Sequence, residues 1–215
     1  MKKKYVSYKS VGSLRYGIYK KEILKKYELL YNNEVCYISH WKNNIWNGKY
    51  YRDPDFLKYL NERMYINLPI IYKSLASNLI PFKIILRSED KNDVEKEKLF
   101  YQKILKSKKI NFYENKTFLN SYLHCDQCKL IVTFASTLGF EMYGNGNRVL
   151  FLGSDKHLTR NGGYPFSQCF NKMPEKIKII NGSKTEILSK LHGLYNLEAH
   201  EFDNISKASR KYYMS

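Results

Sequence analysis

Residues 130–153 read LIVTFASTLGFEMYGNGNRVLFLG, and the chemistry of the chain is concentrated here. Ser136 and Thr137 follow a short apolar run and open a helical stretch. Two hydroxyls beside the free backbone N–H groups of a helix start form a setting that attracts phosphate. Gly139 would let backbone or ligand approach closely, and Glu141, about one turn in, could accept hydrogen bonds from a ribose diol. The same residues also fit a plain helix cap followed by an acid that compensates the helix dipole. Farther on, the polar loop from Ser154 to Phe166 carries Lys156, His157 and Arg160 beside the Gly162-Gly163 pair. It reads either as a mobile basic loop that folds over a bound phosphate or as ordinary solvated surface.

A strand–loop–helix unit of this kind needs a scaffold, and the rest of the chain supplies one. Six runs are rich in β-branched or large apolar residues: Val35–Ser39, Phe82–Leu86, Ile110–Tyr113, Leu130–Thr133, Arg148–Leu152 and Ile177–Ile180. Each is nearly continuous in its apolar character rather than alternating, which suits parallel strands covered on both faces. The shortest intervening segment, 134–147, is long enough for a parallel crossover with a helix. Asp53-Pro54 starts one helix, with Pro69 expected to kink it. Val94, Tyr101, Ile104 and Leu105 mark a second, Ile187, Leu188, Leu191 and Leu194 a third, and Phe202, Ile205 and Tyr212 a last. The expectation is an α/β fold: a doubly wound, mostly parallel six-stranded Rossmann-like sheet with helices on both faces. Such sheets bind ligands in the loops at the carboxyl ends of their strands, where Ser136 and Thr137 fall.

Composition narrows the class. The 215 residues include 37 Lys and Arg against 20 Asp and Glu, a formal charge of +17, with 43% hydrophobic residues. That is too apolar for a disordered tail, and the chain is long enough to bury a core without disulfides. Four scattered cysteines argue for a reducing compartment. No apolar block fits a signal peptide or a membrane span, so a cytoplasmic location is expected, or one peripheral to the inner face of the membrane. Either a polyanionic partner or a general drift of composition accounts for the charge. Residues 1–34 hold nine Lys or Arg against three Glu and read as a basic arm that could contact a membrane surface or a partner, with residues 35–215 as the domain proper. The Cys125-Asp126-Gln127-Cys128 pattern has no second close pair and predicts no zinc site. The signature sequences of RNA-binding modules are absent.

The segment TFASTLGFEMYGNGNRVLFLG resembles the donor site of GT-B glycosyltransferases, above all those of bacterial surface polysaccharide synthesis. These carry a strand, then Ser-Thr-x-Gly-[Phe/Tyr]-Glu, a small-residue turn and a second apolar strand. VCYISHW is similar to the first strand and following loop of their C-terminal, donor-binding half, and FKIILRSEDKNDVEKEKLFYQKIL to its second βα unit, so the resemblance spans roughly Val35 to Leu191. It implies that Ser136, Thr137 and Gly139 hold the donor phosphates and Glu141 the donor ribose. His40 and Arg87, after the first and second strands, would face the same crevice. Arg87 could pair with a diphosphate in bidentate fashion, and His40 could donate to a phosphate or to the departing oxygen. Alternatively His40 is only a strand-end histidine beside Trp41, and Arg87 pairs with Glu89 or Asp90.

The resemblance implies a transferase that moves a sugar from a nucleotide carrier to a glycan or lipid-linked acceptor. No cofactor is expected beyond that nucleotide-sugar, and no metal, since the chain lacks an Asp-x-Asp motif. It covers only one of the two GT-B halves, and in many family members the catalytic base lies in the other. The chain would then be a fragment, a remnant, or a subunit whose partner supplies the acceptor site. A polyol-phosphate transferase would use the same donor site. A different class, a basic binder of nucleic acid or anionic surfaces, would instead carry its cations in a continuous stripe away from Ser136.

Overall fold

All six apolar runs become strands of one sheet in the computed structural model, which describes residues 14–24, 32–41, 54–134, 136–153 and 167–214. In chain order the elements are α1 (Leu14–Tyr19, followed by a π-helical turn, Lys20–Leu24), β1 (Asn32–Ile38), α2 (Pro54–Ser77), β2 (Phe82–Ile85) and α3 (Lys91–Leu105). They continue with β3 (Asn111–Tyr113), α4 (Phe118–Asp126), β4 (Cys128–Thr133), α5 (Thr137–Asn145) and β5 (Val149–Gly153). The last are α6 (Ser167–Lys172), β6 (Lys178–Ile180), α7 (Lys184–Asn196) and α8 (Ala199–Met214).

Every strand pairing is parallel, in the order β3-β2-β1-β4-β5-β6. The near-continuous apolar runs are explained by burial on both faces: α2 packs with α3 and α7 in one set, and α5 with α4 and α8 in another. The direction of winding reverses between β1 and β4, which opens a crevice at their carboxyl ends. The fold is therefore the α/β doubly wound arrangement expected from the sequence.

Local signals account for the helix limits. The Asp90 carboxylate accepts from Asn92 N and Asp93 N at the start of α3 (2.9 and 3.3 Å), and the Ser183 hydroxyl accepts from Glu186 N at the start of α7. Helix α2 begins at Pro54 and runs through Pro69 without interruption. The last helix departs from the expected face. Phe202, Ser206 and Ser209 are buried, whereas Tyr212 is 48% exposed and lies under the Lys172 ammonium. Ser206 and Ser209 fit inward because their hydroxyls donate to Phe202 O (2.7 Å) and Ser206 O (2.9 Å) and the Tyr143 hydroxyl meets Ser209 Oγ, so two small polar residues replace the large apolar ones that periodicity favours.

Gly139 is required by packing. A β-carbon there would stand 2.6 Å from Thr133 Cγ2, where α5 crosses β4, with the Phe151 ring behind it at 3.5 Å. Replacing Gly139 with Ala is expected to cost about 1–3 kcal/mol through overpacking, read as a lower urea midpoint with an unchanged m-value.

Candidate functional site

The carboxyl ends of β1 and β2 are tied together by one buried acid. Glu97 lies on α3 with no exposed surface, and its two oxygens accept from Arg87 N (3.1 and 3.3 Å) and Ser88 N (3.0 Å). The Ser39 hydroxyl, at the end of β1, donates to the same carboxylate. One turn along, the Tyr101 hydroxyl meets Ser39 Oγ at 2.9 Å and accepts from His40 N at 3.2 Å. Burial, then the charge of Glu97, pushes the Tyr101 phenol well above its ordinary pKa and keeps it protonated. Helix α3 thus fixes the path of the chain as it leaves both β1 and β2.

With its backbone held, Arg87 extends its guanidinium to the start of α5, where Nη1 donates to Ser136 Oγ at 3.0 Å. Ser136 occupies the N-cap position (φ −92°, ψ 134°), but its side chain makes no capping bond. The expected hydroxyl cap is therefore corrected: Ser136 serves as the acceptor that positions Arg87. The first helical hydrogen bond runs from Phe140 N to Ser136 O, so the N–H groups of Thr137, Leu138 and Gly139 have no partner within the helix. Arg87 makes no ion pair with Glu89 or Asp90, and Asp90 is occupied at the start of α3.

These groups open on a cleft of about 230 Å³ lined by Arg15, Arg87, Asn115, Ser121, Tyr122, Thr137, Leu138 and Glu141. Glu141 is half-buried on its wall and accepts from the Tyr122 hydroxyl of α4. The arrangement presents two guanidinium groups, an exposed threonine hydroxyl and free helix N–H groups toward one space, with a single carboxylate set to one side. Chemically it can bind an anion joined to a hydroxyl-bearing group.

Arg87, Thr137 and Glu141 line this cleft, and Ser136 is held by Arg87 just behind them. His40 is half-buried at the end of β1, outside the cleft lining. Gly139 turns its α-carbon toward the sheet, so it can offer a ligand only its N–H. Lys156, His157 and Arg160 lie outside the described residues. Glu97, Tyr122 and Arg15 were not singled out from the sequence, and Tyr101 only as an apolar-face residue of its helix. For Glu97 a signal exists: Val94, Glu97, Tyr101 and Ile104 share one face of α3, and a lone acid on an otherwise buried helical stripe must have donors waiting for it.

The Cys125–Cys128 pair is also placed differently from its appearance in sequence. Cys36 of β1 neighbours both sulfurs, because β4, which Cys128 opens, pairs with β1, and Cys125 lies at the end of α4 directly before it. All three are buried free thiols, and burial pushes Cys36 and Cys128 upward, away from the reactive thiolate. Among the described residues no group of His, Cys, Asp or Glu is arranged to hold a metal ion, and no helix is long and apolar enough to cross a membrane.

The model of a protein family described as "putative O-antigen biosynthesis protein" matches residues 1–175, a stretch that contains the whole cleft. The chain belongs to that family. The family therefore places this Rossmann-like domain in carbohydrate biosynthesis. No curated protein matches the chain. In fold it is similar to the UDP-GlcNAc 2-epimerase of Methanocaldococcus jannaschii, solved in complex with UDP-GlcNAc and UDP: 15% identity, TM-score 0.50, covering 94% of this chain and 52% of that one. A second structure of that epimerase gives 14% identity and a TM-score of 0.46 over 90% and 48% of the two chains. This member of the O-antigen biosynthesis family thus spans about half the length of the solved enzyme it resembles.

Proposed function

We propose that the chain is the donor-binding half of a glycosyltransferase of surface polysaccharide biosynthesis, holding a nucleotide-sugar at the carboxyl ends of β1, β2 and β4. The observation that carries this reading is the Arg87 guanidinium held against Ser136 at the open start of α5, in the cleft that Glu141 also lines. Arg87, Thr137 and the N–H groups of α5 bind the phosphates and stabilise the departing nucleotide. Glu141, oriented by Tyr122, accepts from the ribose hydroxyls. His40, just after β1, donates to the departing oxygen. An acceptor, glycan or lipid-linked, is brought by a second domain or a partner subunit, together with the catalytic base. A polyol-phosphate donor would occupy the same cleft. That the similar epimerase fold was solved with UDP-GlcNAc and UDP makes uridine nucleotides the first ligands to try.

The cations of the cleft favour this reading over a binder of nucleic acid, whose charge would follow an extended groove. A thermal-shift titration with UDP, GDP, CDP and CMP, beside a single-stranded oligonucleotide at matched salt, tests it. One nucleotide at about 100 times its dissociation constant should add roughly 2.7 kcal/mol of stability. Glu141→Ala should remove much of that gain. Stabilisation by the oligonucleotide alone, insensitive to Glu141→Ala and lost with salt, would overturn the donor-site reading.

A further inference from the structure

The N-terminal helix is built into the wall of the cleft. Tyr16 and Tyr19 of α1 are buried, and both rings pack on Tyr122 of α4, at centroid distances of 5.8 and 5.4 Å. Tyr19 also donates from its hydroxyl to Asp126 Oδ2 (2.9 Å), and Asn147 holds the other oxygen of that carboxylate (2.7 Å). Tyr122 is the residue that donates to Glu141, so the aromatic cluster joins α1 to the floor of the cleft in two steps. From this anchored helix Arg15 lines the cleft beside Arg87, Thr137 and Glu141. Among the described residues the Arg15 guanidinium has no ion pair or hydrogen-bond partner.

We propose that Arg15 is a second phosphate-binding residue of the donor site and that it selects a nucleoside diphosphate over a monophosphate carrier. This rests on the donor-site reading. A single phosphoryl group is satisfied by the N–H groups of α5, the Thr137 hydroxyl and Arg87. A second cation, carried by a separate element on another wall, matches a second phosphoryl group. Bridging of the ligand to α1 also predicts that a bound diphosphate holds α1 more firmly on α4, because the ligand adds a contact that the free protein lacks.

The test uses the full chain and calorimetric titration with UDP, GDP, CDP and ADP, each beside its own monophosphate. For the base that binds best, Arg15→Ala should weaken the diphosphate by about tenfold or more, the magnitude of one charge-assisted pair, and change the monophosphate by less than about twofold. Arg15→Lys should recover part of the loss. In parallel, the bound diphosphate should slow tryptic cleavage after Arg15, Lys20 and Lys21 in the unaltered chain but not in Arg87→Ala. Equal affinities for the unaltered chain and Arg15→Ala, or equal losses for diphosphate and monophosphate, would overturn the role of Arg15 and leave the donor site standing. If no nucleotide binds the unaltered chain, both fail together. Arg15 is exposed and the helix is held by Tyr16 and Tyr19, so the variant keeps its fold, which the unchanged monophosphate affinity verifies.

Discussion

Replacing Glu97 with Gln is expected to lower stability by about 2–4 kcal/mol, a fall in Tm on the order of 10 °C for a chain this long. The carboxylate accepts from two backbone N–H groups and one hydroxyl, all inside the protein. A carboxamide keeps one acceptor oxygen and turns an NH2 toward donors that have no other partner. Each donor left unsatisfied carries a desolvation cost of about 1–3 kcal/mol, so the loss exceeds that of a single surface hydrogen bond. The effect on binding should be separate from the effect on stability. Arg87 starts from a backbone that Glu97 holds, and once released its guanidinium no longer stays near Ser136. The nucleotide that stabilises the unaltered protein should therefore bind Glu97→Gln more weakly even well below the variant's melting temperature. Full affinity in a folded Glu97→Gln protein would show that Arg87 is placed by Ser136 alone.

The six strands were legible in the sequence because a strand covered on both faces has no polar side to hide it. Val35–Ile38, Leu130–Thr133 and Val149–Leu152 are buried along their whole length and read as apolar runs. The loop that ends in Ser136 and Thr137 was legible because hydroxyls directly before a helix have few uses. Its details were not. A hydroxyl at an N-cap normally accepts from the helix it precedes, whereas Ser136 accepts from Arg87, 49 positions earlier, and nothing local in the sequence distinguishes the two. Glu97 escaped for the opposite reason. It sits in a segment dense with Glu and Lys, where one acid resembles its neighbours until the buried face of the helix is drawn through it. Tyr122 and Arg15 gave no local signal at all, because their importance comes from the contact of α1 with α4, a packing that no periodicity announces. Residues that form a site on such a sheet come from loops far apart in the chain, and only the sheet order brings them together.

The sheet holds one more polar device at the opposite ends of its strands, and its removal should have an effect of similar size. Lys83 of β2 is buried, with its ammonium 2.9 Å from Glu34 of β1 and 4.6 Å from the centre of the Tyr113 ring. Burial opposes the charge on Lys83, and Cys128, Glu34 and Cys36 together outweigh it, so the net direction is upward. Burial keeps Cys128 a neutral thiol far above pH 7, which leaves Glu34 as the charged partner under ordinary conditions. Glu34→Ala would leave the ammonium buried with only the aromatic face of Tyr113 opposite, at a cost of about 3 kcal/mol. The pH dependence identifies the cause. In the unaltered protein the raised Lys83 supplies stability that is fully present below the ordinary lysine pKa and is lost only as pH rises beyond it. Without Glu34, and with Cys128 and Cys36 both kept neutral by burial, desolvation depresses the lysine, so the unfolded chain binds the extra proton and the penalty shrinks as pH rises toward about 10. Urea midpoints for the two proteins should therefore converge between neutral and alkaline pH. Replacing both partners, Glu34→Gln with Lys83→Met, should restore most of the stability, because no buried charge remains. A constant difference between Glu34→Ala and the unaltered protein across that range would mean that Lys83 reaches water once its partner is gone, and that the pair fixes the alignment of β1 against β2 rather than neutralising a trapped charge.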